Sequence, residues 1–214
     1  LEIQSKNISL EKDTRVSTFK GEVFVRTQDG NTINSDYAKY NKESGIIEME
    51  GNVVAKDKKN NTIKSNYAVY DEKTKILKTI GPTIINTSEN YLIKSEDILA
   101  DHNSKIIKSN KKTEVQDIDM NKIFLDNFEY LVNENIFKSL GYISIKDNLN
   151  NSYEFSQIYI DTNKKEIFGT DIKANLNSND FKVNPNNKPR IFANTVKIDK
   201  EKKSFSKSVF TICN

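Results

Sequence analysis

A segment of thirty residues repeats along this 214-residue chain, and this repeat limits the possible folds more than any other feature. Residues 1–20 form a half repeat in the same frame, and an insertion of eight residues near Asn184–Pro189 shifts the frame of the last copy. A fixed period of this length indicates that each repeat is one supersecondary motif stacked on its neighbours. The full copies begin at Gly21, Gly51, Gly81, Lys111, Gly141 and Asp171.

Each repeat predicts two β-strands. The first, as in Thr32–Tyr40, alternates apolar and polar residues and changes phase at Ala38. The second, as in Gly45–Lys56, has a glycine near its middle, and glycine inside a strand pattern indicates a bulge or sharp bend. A strand that bends there can leave one sheet and join a facing sheet. The polar turns between strands are short, which favours antiparallel neighbours.

We therefore expect an all-β fold of about fourteen strands at two per repeat. The expected architecture is an antiparallel β-jelly roll, a V-shaped sandwich of two sheets, over residues 1–208. A parallel β-solenoid stays open as an alternative, because periodicity alone does not distinguish the two. The chain starts in mid-pattern at Leu1 without an initiator Met, so we expect a processed or excised piece of a longer protein.

The composition gives no sign of a nucleic-acid partner. The chain has 33 Lys and Arg against 30 Asp and Glu, a net charge of +3, whereas nucleic-acid binding needs a clustered basic surface. Lysine pairs such as Lys58–Lys59 lie beside Asn or Asp and are typical of solvated turns.

The residues that could carry chemistry are few, so we expect neither an enzyme nor a metal or cofactor site. His102 is the single histidine, and its place at a turn predicts a solvated surface residue. Cys213 is the single cysteine, which excludes a Cys/His metal cluster or nucleophile pair. The carboxylates that share one turn column are predicted to form turns rather than an acid–base pair: Asp71, Asp101, Asp161 and Asp199.

Apolar residues recur in fixed columns of the repeat, and these columns have two interpretations. They either fill a packed core between two sheets, or line a lengthwise apolar groove between sheets that stay slightly apart. Small residues in the columns, and a repeat that continues to both ends without a polar cap, favour the groove. The groove candidates are Val23, Val25, Ile33, Ala38, Tyr40, Ile47, Val53, Ile63, Ala68, Tyr70, Leu77, Ile93, Ile98, Ile107, Ile123, Phe128 and Phe137.

The best-preserved copies resemble a known family. Their pattern is G-x-V-x-V, then D-G, then T-I-x-S-D-Y-A-x-Y, then G-I-I-x-x-x-G, which is similar to the OstA-like domains of the lipopolysaccharide-transport proteins LptA, LptC and LptD. Later copies depart from it, since Lys111 replaces the glycine and Asn127-Phe128 replaces Tyr-Ala. The matching residues are Gly21, Val23, Val25, Asp29, Gly30, Thr32, Ile33, Ser35, Asp36, Tyr37, Ala38, Tyr40, Gly45, Ile46, Ile47 and Gly51.

This resemblance implies a non-catalytic periplasmic β-jelly roll that carries the lipid A acyl chains of lipopolysaccharide between its sheets. Its implied partners are lipopolysaccharide and LptA-like jelly rolls that stack end to end into a bridge between membranes. The lipid is implied by the family alone, because the repeat itself indicates only an apolar trough.

The tail at 209–214 resembles the segment that, in LptD members of the family, leads from the jelly roll into an outer-membrane barrel. The resemblance implies that Cys213 forms a disulfide with that absent region, that an LptE-like lipoprotein is a partner, and that the chain lies at the periplasmic face of the outer membrane. A small buried or free thiol is the alternative for Cys213.

Three hypotheses therefore follow from the sequence. The first is the periplasmic module of LptD, which passes lipopolysaccharide along the groove to the outer membrane. The second is a free-standing LptA-like bridge protein of the same fold. The third is a β-solenoid that binds or cleaves polysaccharide, for which no clustered acidic or basic site is visible.

Overall fold

The computed structural model describes residues 1–11, 13–178 and 189–212. This part of the chain contains nineteen β-strands and no α-helix, which confirms the all-β prediction. No helix among these residues is long and apolar enough to cross a membrane. The chain divides into two compact units, Leu1–Ser109 and Asn110–Asn214, called unit 1 and unit 2 below. The single domain expected over residues 1–208 stays a prediction.

Unit 1 is an antiparallel meander of eleven strands, in which β1 and β2 both pair with β3, and β7 and β8 both pair with β6. The strands are β1 (Glu2–Gln4), β2 (Asn7–Glu11), β3 (Val16–Arg26), β4 (Thr32–Asn41), β5 (Ile46–Lys56), β6 (Thr62–Asp71), β7 (Ile76–Thr79), β8 (Pro82–Asn86), β9 (Leu92–Glu96), β10 (Leu99–Asp101) and β11 (Ile106–Ser109).

Unit 2 continues the same pattern with eight strands. They are β12 (Thr113–Gln116), β13 (Lys122–Leu125), β14 (Phe128–Leu131), β15 (Ile136–Lys146), β16 (Ser152–Asp161), β17 (Glu166–Asn175), β18 (Arg190–Ile198) and β19 (Lys203–Thr211).

Strand pairing within each unit is antiparallel, so the parallel solenoid alternative is wrong. The strand number exceeds fourteen because some long strands are split at their bend. For example, β7 and β8 are the two halves of one strand interrupted near Gly81, and both pair with β6. Along strands such as β5 and β6 buried residues alternate with more exposed ones, as expected for a sheet with one face in a core.

The predicted bends are present at the glycine column. In the β5–β6 pair the register shifts between Glu50 and Val53, and the residues skipped, Gly51 and Asn52, have φ of 77° and 47°. Two residues then oppose one, which is a β-bulge that bends the strand. The sixth repeat has Asp171 in this column, and it adopts the same left-handed conformation with φ of 54°.

Two kinds of turn alternate along the meander. The first-edge turns each follow the strand that crosses the border between two repeats, and they lie at 27–31, 57–61, 87–91, 117–121 and 147–151. The second-edge turns lie at the opposite strand ends, at 41–45, 71–75, 101–105, 131–135 and 161–165. Left-handed residues recur at thirty-residue intervals in both kinds. In the first-edge turns they are Gly30, Asn60, Asn90, Met120 and Asn150. In the second-edge turns they are Gly45, Lys75, Lys105, Asn135 and Lys165.

Carboxylates hold both kinds of turn, as the shared column predicted. In a second-edge turn the Asp71 Oδ1 accepts hydrogen bonds from the backbone N–H groups of Lys73 and Thr74, and these bonds lower the pKa of Asp71. In a first-edge turn the Asp57 Oδ1 accepts from the backbone N–H of Asn61 at 2.9 Å. The Asn61 Oδ1 in turn accepts from the backbone N–H of Ser88 at 2.9 Å, which ties one first-edge turn to the next.

Contacts between the two edges show how far the strands bend. A straight strand of ten residues such as β4 spans about 30 Å, so a flat meander would hold its two edges that far apart. Yet Asn31, of a first-edge turn, lies 2.8 Å from His102, of a second-edge turn. The strands of unit 1 therefore fold back on themselves at the bulges, and the two halves of the sheet face each other. This confirms the predicted two-sheet arrangement.

Replacing Gly51 by alanine should destabilise the protein more than replacing Gly81. Both glycines are left-handed, so either Cβ costs about 1–2 kcal/mol. The new Cβ at Gly51 would also lie 2.9 Å from the Asp36 Cβ, whereas nothing lies within 4 Å at Gly81. We expect G51A to lower the free energy of unfolding by about 1 kcal/mol more than G81A, measured by urea denaturation. Equal losses for the two variants would show that Asp36 does not restrict the bulge.

Candidate functional site

The predicted groove residues all lie on the inward face of their units. Sixteen of the seventeen are buried, and the exception, Tyr40, is half-buried. The Tyr40 hydroxyl donates a hydrogen bond to Glu72 at 2.8 Å, and burial together with this bond raises the pKa of Tyr40 to about 12. The inward columns thus form closely packed interiors, and an apolar ligand would have to part the facing half-sheets to enter.

Sequence reasoning omitted several inward residues of the same columns, chiefly in unit 2. The spacing could have found some of them, because Ala55, Tyr153 and Ile158 lie thirty residues after the predicted Val25, Ile123 and Phe128. The omitted buried residues include Met49, Ala55, Ile85, Tyr130, Ile143, Ile145, Tyr153, Phe155, Ile158, Ile160, Ile172 and Ala174.

The two interiors differ in the side chains that fill them. Unit 1 buries four alanines, Ala38, Ala55, Ala68 and Ala100, whereas unit 2 buries two, Ala174 and Ala193. Unit 2 buries a group of aromatic rings, in which Phe128 and Phe137 stack with their centroids 5.2 Å apart. Small side chains leave the half-sheets of unit 1 less tightly interlocked, because fewer interdigitating atoms must separate when they part.

One aromatic ring of unit 2 occupies the place of a missing side chain. A Cβ added at Gly169 would overlap the ring of Phe155, so the absence of a side chain at Gly169 makes room for that ring. Both residues are buried, and they lie on the paired strands β16 and β17. The interior of unit 2 is therefore filled at this point by the protein itself.

Polar groups near the bends are buried but hydrogen-bonded. The Thr79 and Thr83 hydroxyls lie 2.7 Å apart, and Thr79 Oγ1 also accepts from the backbone N–H of Ile98 at 3.0 Å. The Ser109 hydroxyl donates to the backbone carbonyl of Glu96 at 2.6 Å. These groups are therefore satisfied by hydrogen bonds within the fold.

Unit 1 is closed at the side opposite the bends by polar contacts between its two edges. We call this side the mouth of unit 1. The Lys75 Nζ lies 3.1 Å from a carboxylate oxygen of Asp29, and the hydrogen bond from Lys75 lowers the pKa of Asp29. The α-amino group of Leu1 lies 3.7 Å from Glu72. Together with the Asn31–His102 contact, these pairs join first-edge to second-edge residues across the mouth.

His102 differs from its prediction as a solvated surface residue. It is half-buried, its ring lies edge-on to the Tyr70 ring with the centroids 6.1 Å apart, and its Nδ1 contacts Asn31. Burial lowers the pKa of His102, and the nearby Lys105 lowers it further. The sequence could not reveal this environment, because the contact joins residues that are 71 positions apart and belong to opposite edges.

Unit 2 has a comparable contact across its edges. Lys203, which follows the turn at 199–202 between β18 and β19, lies 3.2 Å from Asp147 of a first-edge turn. The same ammonium group also contacts the Tyr153 hydroxyl. Each unit is therefore closed at the side opposite its bends by charged side chains rather than by strand pairing.

Apolar residues are exposed where the meander begins and ends. All of β2 is exposed, including Ile8 at 56% and Leu10 at 71%. These two residues lie in the columns of Ala38 and Tyr40, so inward columns continue to the first strands without being covered. On β19, Val209 is 64% exposed and most of the strand is solvent-accessible.

Among the residues that the structure describes, no group of His, Cys, Asp or Glu side chains could hold a metal ion. The predicted disulfide residue Cys213 lies outside the described residues, as does most of the eight-residue insertion near 184–189. The interior of the described residues is lined by apolar side chains and is suited to burying apolar groups.

The chain is similar to a known protein family and to a solved structure. No curated protein matches the chain significantly. One similar solved structure is the crystal structure of LptH, the LptA homologous periplasmic component of the lipopolysaccharide transport device from Pseudomonas aeruginosa. It is 14% identical, with a TM-score of 0.27 over 67% of this chain and 83% of that one. The family model for lipopolysaccharide-assembly, LptC-related proteins matches residues 1–107, half of the chain and almost all of unit 1. The chain belongs to the LptC-related lipopolysaccharide-assembly family.

Proposed function

We propose that this chain is a non-catalytic component of a periplasmic lipopolysaccharide bridge and that it holds the acyl chains of the lipid between its facing half-sheets. The observation that carries the proposal is the set of inward apolar columns, which continue uncovered to Ile8 and Leu10 at one end. The proposed identity of the ligand, lipopolysaccharide, rests on the chain's membership of a lipopolysaccharide-assembly family.

The energetics favour an acyl chain as the occupant. Transfer of one methylene group from water to an apolar site is favourable by about 0.8 kcal/mol, so a chain of a dozen methylenes gains about 10 kcal/mol before any cost of opening. That gain can offset the separation of a few packed side chains in unit 1, where alanines make the interior shallow. No bond of the lipid has to change, so transport needs no catalytic group.

The family match favours an LptA- or LptC-like bridge component over the periplasmic module of LptD. The features specific to LptD stay predictions: a disulfide from Cys213 to a barrel, an LptE-like partner, and a position at the outer membrane. The sequence beyond Asn214 would distinguish the two. Several hundred residues of alternating strands with aromatic girdles would support LptD.

End-to-end association with a second jelly roll is the proposed way in which the interior is extended. An exposed strand offers backbone groups to another chain, and native proteins usually protect such strands. Here β2 instead presents apolar side chains from the inward columns. A neighbouring jelly roll that adds its own strand there would cover them and continue the apolar path.

Photo-crosslinking should place lipopolysaccharide in the interior of unit 1. A benzoylphenylalanine at Tyr70 or Ile63, both buried, should crosslink to lipopolysaccharide, whereas one at Lys64, which is adjacent and exposed, should not. The products would be detected by immunoblotting for lipopolysaccharide after irradiation. Crosslinks from Lys64 with none from Tyr70 and Ile63 would overturn the proposed function.

Charges at the uncovered strand should prevent end-to-end association. We expect the double variant I8K/L10K to weaken self-association, or association with an LptA-like partner, by about tenfold, because lysines cannot be buried unpaired between two sheets. Sedimentation velocity over a range of concentrations would measure it. The control is I84K, which replaces an exposed apolar residue on β8, a strand that is paired on both sides with β6 and β9. Equal effects of the two changes would argue against β2 as the contact.

A further inference from the structure

We propose that unit 1 opens at its mouth, and that the Asp29–Lys75 ion pair together with the Asn31–His102 hydrogen bond forms a latch that holds its apolar interior closed. The identity of the ligand that enters rests on the proposed function. The latch itself is independent of the proposed function, because it concerns only how the interior of unit 1 is reached.

The mouth is the side of unit 1 that can open without breaking strand pairing. On the opposite side the backbones of β3, β4, β5 and β6 run continuously through the bends from one half-sheet to the other. Those bends are covalent and paired to their neighbours. Across the mouth the contacts described above join side chains, together with the α-amino group of Leu1. Separation of the edges here breaks side-chain contacts and parts the packed interior, but the strand pairing at the bends stays intact.

The ion pair has an exposure suited to reversible closure. The side chains of Lys75 and Asp29 are 30% and 37% exposed, so water partly screens their attraction and can replace it when they part. Lys105, in the following second-edge turn, adds a second positive charge that acts on Asp29.

The two contacts of the latch are connected to each other and to the interior. The backbone N–H of His102 donates to the carbonyl of Lys75 at 3.1 Å, so the two second-edge turns are joined. On the other edge Asn31 is buried, and its backbone N–H donates to the Thr27 hydroxyl at 3.1 Å, which fixes its position. The His102 ring packs against Tyr70, a buried groove candidate. We infer that release of either contact loosens both and uncovers the side chains beneath.

The latch can be tested without lipid by the rate at which a buried cysteine reacts. Ala68 is fully buried on β6, and the A68C variant in a C213S background would report each opening of unit 1 by reaction with a small maleimide. The double variant D29N/K75M removes both charges of the ion pair together. We expect it to raise the labelling rate at least tenfold.

A matched ion pair provides the control. Lys138 and Glu129 lie 3.2 Å apart and are 34% and 38% exposed, close to the values of the latch pair, but they join neighbouring strands of unit 2. The variant E129Q/K138M should leave the labelling rate of A68C within twofold. Urea denaturation of both variants would show whether a faster rate reflects local opening or a general loss of stability.

Each outcome decides between the inference and its failure. Fast labelling of D29N/K75M, with unfolding free energy like that of E129Q/K138M, supports the latch. Equal labelling of the two variants, or a rate that follows global stability alone, overturns it. If D29N/K75M labels quickly but a photo-crosslinker at Tyr70 captures no lipopolysaccharide, the latch stands and the proposed function fails.

Discussion

The bend in the middle of the strands is the constraint on which the rest of the structure depends. At Gly51 and Asn52 two left-handed residues oppose a single residue of the next strand, and the sheet turns there. Without that turn the first-edge and second-edge turns would lie about 30 Å apart, and the inward columns would form one face of a flat sheet exposed to water. The interior, the mouth and the contacts across it all require the bend.

The edges of the sheet are as regular as its interior. Asp57 and Asp71 satisfy backbone N–H groups of their turns, and Asn61 links its turn to the next at Ser88. Aspartate recurs at several of the equivalent turn positions, so those turns are held by the same backbone hydrogen bonds. Regular edges place Asp29 and Lys75 opposite each other, although only Asp29 belongs to the family pattern.

Most of the fold could be predicted because it follows from local chemistry repeated at a fixed interval. Alternation placed Ile63 and Tyr70 inside, the glycine column marked the bends, and the aspartate column marked the turns. The predictions that failed concern contacts between the two edges. His102 was expected to be solvated, yet it contacts Asn31 across the mouth. Left-handed residues without a glycine signal, such as Lys75 and Met120, were also missed, because position in the repeat determines their conformation more than residue type does.

The hydrogen bond from the Ser88 N–H to Asn61 has a consequence for how such a chain can change in length. Bonds between successive turns, such as Asn61 with Ser88 and Asn121 with Asn148, join residues that are 27 positions apart, and the inward columns repeat every thirty residues. A whole repeat can be gained or lost while each of these bonds finds an equivalent partner. A change of another length inside a strand would misalign them all at once. The sheet can therefore be lengthened only by whole repeats, and insertions of other lengths are tolerated only in loops outside the sheet.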